Sequence, residues 1–106
     1  MAHPTEPATK ENVTVDFGGI ELAGSLCHDD ANRSLLLETD EGPERISVNL
    51  DAYGLTPEPG NVFIKDWSEH AGLTARLAAA GLVRPVYALA VGRFASTVYE
   101  VEVTLR

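Results

Sequence analysis

The chain has 106 residues, 44% of them apolar, and its 16 acidic against 8 basic side chains give a formal net charge of −8. That length is one domain around one core, and no stretch reaches the roughly 18–20 apolar residues that span a bilayer. The single cysteine, Cys27, excludes an intramolecular disulfide and fits a reducing, cytoplasmic setting, while the acid excess argues against a surface that binds nucleic-acid phosphates and for a basic partner.

Residues 1–11 hold two prolines and almost no apolar anchor, so they read as a loosely attached tail ahead of a domain over 12–106. The tail lacks the basic stretch and apolar run of a signal peptide. Val13, Val15 and Phe17 alternate with Thr14 and Asp16, the period of a half-buried strand. Gly18-Gly19 supplies the positive φ angles of a two-residue hairpin turn, and Ile20 to Leu26 forms the return strand. A polar turn from Cys27 to Asn32 leads to a third strand, Ser34 to Glu38. Its three consecutive leucines require one to face outward or to meet a second layer. Thr39-Asp40-Glu41-Gly42-Pro43 is a strong turn, and Glu44 to Leu50 is a fourth strand with Ile46, Val48 and Leu50 on one face.

Two prolines and two glycines make residues 51–60 a loop. Val62-Phe63-Ile64 is a short strand or an apolar plug. A helix is expected over residues 67–80, with Asp66 as N-cap, Glu69 completing a capping box, and Leu73, Leu77 and Ala80 on one face. Gly81 stands where the left-handed residue after a helix belongs. Leu82 to Val91 is a strand interrupted by Pro85, which points to a sheet edge or to a later strand start. Gly92-Arg93 turns the chain into a last, half-exposed strand in which Val98, Glu100 and Glu102 alternate with Tyr99, Val101 and Val103. The expected fold is α+β: a mostly antiparallel, curved sheet of roughly six or seven strands with one helix packed on one face.

Charge is segregated along this chain. Residues 11–60 hold eleven acids against Arg33 and Arg45, whereas residues 61–106 hold four acids and five bases. The acids of the strand turns and of the loop after them, Asp29, Asp30, Asp40, Glu41, Glu44 and Asp51, are the candidate partner-binding residues, with Tyr53 as an exposed aromatic in the proline-flanked loop. Trp67, Phe63 and Phe94 are weaker candidates for recognition, because Phe63 and Trp67 suit the core.

Other chemistry is thinly represented. Cys27-His28-Asp29-Asp30 gathers reactive side chains, but adjacent residues do not supply the geometry of a nucleophile and its base. His28, Asp29, Glu69 and His70 lack the tight ligand spacing of a metal site. Glu100 and Glu102 share a strand face that reads as solvated. No glycine-rich strand-to-helix segment cradles phosphate. The expectation is therefore no enzymatic activity, no metal and no cofactor.

One stretch supports a resemblance. Ile46-Ser47-Val48-Asn49-Leu50, then Val62-Phe63-Ile64-Lys65-Asp66-Trp67-Ser68-Glu69-His70-Ala71-Gly72-Leu73, then Ala80-Gly81-Leu82-Val83, is similar to a family of small bacterial, phage and plasmid domains with a "VNL" followed by "VFIKDYSEN.G". Trp67 replaces the usual Tyr, and His70-Ala71 also departs from the pattern. The resemblance covers about residues 44–83 and implies a compact α+β domain from mobile-element or accessory DNA. Association with that setting suggests an anti-CRISPR or anti-restriction inhibitor, docking on a basic, nucleic-acid-binding surface of a host defence complex with no direct contact to nucleic acid or membrane. The alternative expectation is a structural or assembly module that self-associates through an edge strand.

Overall fold

The computed structural model describes residues 8–67 and 70–105. Strands β1 (Ala8–Asp16), β2 (Glu21–Asp29), β3 (Ser34–Thr39) and β4 (Gly42–Arg45) form an antiparallel meander in that order. Strands β5 (Ser47–Val48), β6 (Asn61–Lys65), β7 (Val83–Val91) and β8 (Ser96–Val103) form a second antiparallel sheet in the order β5-β6-β8-β7. One helix, α1 (Leu73–Ala79), packs between them, touching β1 and β7. The chain is thus α+β and antiparallel as expected, but with two four-stranded sheets in place of one larger sheet.

The division occurs at Ile46. The expected strand from Glu44 to Leu50 would have put Ile46, Val48 and Leu50 on one face. Instead the Ile46 amide donates to the Leu35 carbonyl at 2.9 Å, the Leu35 amide donates to Ser47 Oγ at 2.9 Å, and the chain passes from the first sheet to the second. Ile46 is buried in the core between the sheets, whereas Val48 and Leu50 join a separate cluster. A strand alternates its side chains between two faces, so this break is what lets three apolar residues serve two different cores.

The main core joins Val13, Val15, Leu26, Leu35 and Leu37 of the first sheet to Val62, Ile64 and Val101 of the second, with Leu73 and Leu77 from the helix. The second cluster, on the opposite face of the second sheet, contains Leu50, Phe63, Val91 and Val98, with half-buried Trp67 against it. Val62, Phe63 and Ile64 are all buried because β6 lies between β5 and β8 with both of its faces covered. Of the three leucines in β3, Leu35 and Leu37 face the core and Leu36 faces outward.

The turns follow the local sequence. Gly18 and Gly19 have φ of 84° and 106°, and the Phe17 amide closes the turn on the Ile20 carbonyl at 2.8 Å. At Gly24 a Cβ would collide with the backbone of Glu38 on the neighbouring strand, so glycine permits the close approach of β2 and β3. Strand β1 starts at Ala8, paired with His28, and so reaches back into the expected tail; residues 1–7 of that tail lie outside the described residues.

The helix is shorter than expected. It begins after Gly72, whose φ of 84° interrupts the backbone, and runs over seven residues instead of residues 67–80. Asp66 still serves the helix N-terminus from a distance: its carboxylate accepts the Gly72 amide at 2.8 Å and the Thr74 amide at 3.0 Å. Glu69, the other half of the expected capping box, lies outside the described residues. At the C-terminus, the Gly81 amide donates to Ala78 and the Leu82 amide to Leu77, with Gly81 at φ 77°, a Schellman motif.

Candidate functional site

The antiparallel meander sends its acidic turns to two ends of the first sheet. At one end, the β1–β2 and β3–β4 tips lie side by side. Asp40 and Glu41 are the two loop residues between β3 and β4, since Thr39 pairs with Gly42. The Thr39 hydroxyl accepts the Glu41 amide at 3.1 Å and donates to the Gly42 carbonyl at 2.8 Å. This fixes the turn backbone and leaves both carboxylates exposed. Glu38 and Glu44 flank them, and Glu21 begins the neighbouring strand; all three are exposed.

None of these five carboxylates forms an ion pair among the described residues. The nearby Asp16 differs: it accepts the Gly19 amide at 2.7 Å and lies 4.0 Å from Arg76 Nε. The Gly19 hydrogen bond, more than Arg76, holds its carboxyl below the usual range.

The other predicted residues lie at the opposite end, about 20 Å away along the six residues of β3 at ~3.4 Å each. Asp29 accepts the Asn32 side-chain amide at 2.6 Å and the Asn32 backbone amide at 3.3 Å. Those bonds, the side-chain one first, hold its carboxyl below the usual value. Asp30 accepts the Gly60 amide at 2.7 Å and so ties the first sheet to the loop after β5. Asp51 opens a single 3-10 turn, Asp51–Tyr53, in that loop, and Tyr53 is 55% exposed. The predicted set is therefore split: Asp40, Glu41 and Glu44 share one end, and Asp29, Asp30, Asp51 and Tyr53 share the other.

This second end also collects aromatic side chains. A groove of about 580 Å³ with Val48, Leu50 and Val91 in its floor is bordered by Tyr53, Trp67 and Phe94. Lys65 Nζ stands 4.8 Å from the centre of the Trp67 ring, and Arg93 lies 6.0 Å from that of Phe94. A smaller cavity of about 190 Å³ separates Arg33 from Asp51. Phe63 is core, as expected, and Trp67 is half-buried.

Cys27 and His28 do not meet. They are successive residues of β2 and point to opposite faces of the sheet. His28 is buried, its Nε2 has no hydrogen-bond partner, and the Asp30 carboxylate 3.9 Å away is too distant to supply one. Burial pushes the imidazole below its ordinary value, against the pull of Asp30 and Asp29. Among the described residues no three His, Cys, Asp or Glu side chains converge to hold a metal; Glu69 lies outside them. Among the described residues no helix is long and apolar enough to cross a membrane.

Glu100 overturns an expectation. Its strand face reads as solvated, yet the residue is only 2% exposed. Its Oε2 accepts the Asn61 side chain at 2.7 Å and the Glu58 amide at 3.0 Å, and its Oε1 accepts the Tyr87 hydroxyl at 2.7 Å. Burial alone pushes the carboxyl up, but these three bonds to its charged form outweigh that and hold it below the usual 4.5. The same contact raises the Tyr87 phenol. Alternation along β8 carries no signal for this, because the covering loop comes from 42 residues away. Glu102, its neighbour on the same face, is half-exposed and pairs with Arg84 at 3.0 Å.

Comparison of the chain with protein-family models, with curated proteins and with solved structures finds no match.

Proposed function

We propose that this chain is a non-catalytic binding protein that docks the acidic hairpin end of its first sheet on a basic, nucleic-acid-binding surface of a partner protein. On this proposal the partner is a host defence complex, and the chain is an inhibitor of anti-CRISPR or anti-restriction type carried by a phage or mobile element, in keeping with the motif resemblance over residues 44–83. The observation that supports it is the group Glu21, Glu38, Asp40, Glu41 and Glu44, exposed together with no ion pair among the described residues. Unpaired carboxylates on two adjacent hairpin tips repel one another, and a cationic surface relieves that repulsion as it binds. Asp29 and Asp30 are committed to holding a turn and a loop, so a partner that also reached that end would have to span the length of β3.

The test compares the wild type with the triple reversal Asp40→Lys, Glu41→Lys, Glu44→Lys. The partner captured by the tagged wild type from host extract is identified, and its binding is measured against salt and against competing nucleic acid. The reversal should abolish capture, and wild-type binding should weaken steeply with salt and be displaced by nucleic acid. Unchanged binding by the triple reversal would sink the electrostatic account.

A further inference from the structure

We infer that the groove bordered by Tyr53, Trp67 and Phe94 binds a small, flat aromatic molecule carrying one anionic group (a carboxylate, sulfonate or phosphate), with Arg93 as its counter-ion. The inference stands independently of the acidic hairpin end, which the groove does not include.

Three separate segments bring the rings together. Tyr53 comes from the 3-10 turn after β5, Trp67 from the chain just past β6, and Phe94 from the turn between β7 and β8. Each segment is fixed by a backbone hydrogen bond beside its ring. The Tyr53 amide donates to the Leu50 carbonyl at 2.9 Å, the Asp66 amide to the Thr97 carbonyl at 3.0 Å, and the Ala95 amide to the Gly92 carbonyl at 3.2 Å. Gly92, at φ 75°, faces Tyr53: a Cβ there would stand 3.3 Å from the Tyr53 hydroxyl, so glycine lets that side chain close on the turn. The core does not use these side chains fully, since Tyr53 is 55% and Phe94 85% exposed. Exposed aromatics scattered singly are ordinary. Three of them around an apolar floor, in a groove of about 580 Å³, make a ligand-sized concavity that is formed before anything binds.

Charge selects the ligand. The chain has 16 acids against 8 bases, yet among the described residues the groove is lined by Arg93 and by no carboxylate. Asn49 and Ser96 add side-chain N–H and O–H donors. Three aromatic rings also suit a cage for a quaternary ammonium group, which is held by the electron-rich ring faces. Here the protein's own cations stand against those faces: Lys65 Nζ is 4.8 Å from the centre of the Trp67 ring, and Arg93 is 6.0 Å from that of Phe94. Fixed cations repel a second one and attract an anion. The net charge of −8 opposes an anion from a distance, but at ~0.15 M salt that field is screened beyond about 8 Å, whereas Arg93 acts in contact. A flat ring meets the aromatic side chains offset or edge-on.

Trp67 is the only tryptophan of the chain, so its indole N–H gives one NMR resonance that reports on the groove directly. The full chain is titrated at ~0.15 M salt with three probes of one shape: 2-naphthoate, neutral 2-naphthylmethanol and cationic (2-naphthylmethyl)trimethylammonium. Naphthoate should shift the indole resonance saturably, with a Kd near or below about 1 mM for a molecule of this size. The alcohol should bind at least about fivefold more weakly, and the cation more weakly still. Arg93→Glu and, separately, Phe94→Ser should each weaken naphthoate binding by about fivefold or more. Both should leave the circular dichroism melt unchanged, since both positions are exposed. Absence of a saturable Trp67 shift up to about 10 mM naphthoate overturns the proposal. So does binding of the alcohol or the cation as tight as that of naphthoate, or undiminished naphthoate binding by either variant.

Discussion

Replacing Glu100 tests how the second sheet holds the proline-rich loop. The carboxylate accepts three hydrogen bonds, from the Glu58 amide, the Asn61 side chain and the Tyr87 hydroxyl. Bonds to a charged acceptor contribute roughly 1.5–3 kcal/mol each, and a buried donor left unpaired costs about 1–3 kcal/mol. Tyr87 is half exposed and can turn to water, so Glu100→Ala strands mainly the Glu58 and Asn61 donors and should cost about 2–4 kcal/mol. Glu100→Gln keeps one acceptor for those two donors and offers its amide group to the Tyr87 oxygen, so it should lose only charge assistance, about 1–2 kcal/mol. Urea unfolding at neutral pH reads both, as a lower midpoint at unchanged slope. The pH dependence supplies a second check. The native carboxyl titrates below its unfolded value of 4.5, so its contribution is complete above 4.5 and is lost as pH falls through the lower native value. The gap between wild type and Glu100→Gln should therefore close in acid. A cost below about 0.5 kcal/mol for Glu100→Ala, which is within the usual range for exposed positions, or a gap that is flat with pH, would refute the anchoring role.

Two further outcomes follow from buried or capping groups. His28 is held below its ordinary 6.5 by burial, so the unfolded chain takes up its proton first; stability is complete above 6.5 and should fall as pH drops from there toward the native value, a window above that of Glu100, read by urea midpoints and by the imidazole NMR titration. Asp66→Ala removes the acceptor of the Gly72 and Thr74 amides and should destabilise by about 1–2 kcal/mol, with Asp66→Asn recovering part of it; equal stability of Asp66→Ala in thermal melts would show that the short helix is held by Leu73 and Leu77 alone.

Local features were legible where the backbone itself answers to nearby residues. Gly18-Gly19 makes its turn, Gly81 ends its helix, Pro85 stands in an edge strand, one of the two readings it allowed, and alternation places Val13 and Val15 inward. The helix start was misjudged because Gly72 takes a left-handed conformation, while Asp66 caps from six and eight residues upstream instead of from the adjacent position. The candidate surface was legible only as a charge imbalance. Strand connectivity sends Asp29 and Asp30 to one end of β3 and Asp40 and Glu41 to the other, which no count of acids along the chain conveys.

The amino-acid sequence alone determined the antiparallel strand character, the positions of most turns and the concentration of acid in residues 11–60, because each depends on backbone preference or on composition. Tertiary structure alone decided that the chain changes sheets at Ile46, that Glu100 is buried, and that Tyr53, Trp67 and Phe94 border one groove. These depend on which distant segment covers which face. The loop of residues 51–60 lies over a face of β8 whose alternating pattern suits water equally well, and only the Glu58 amide, the Asn61 side chain and the Tyr87 hydroxyl, brought there by the fold, make a buried carboxylate tolerable.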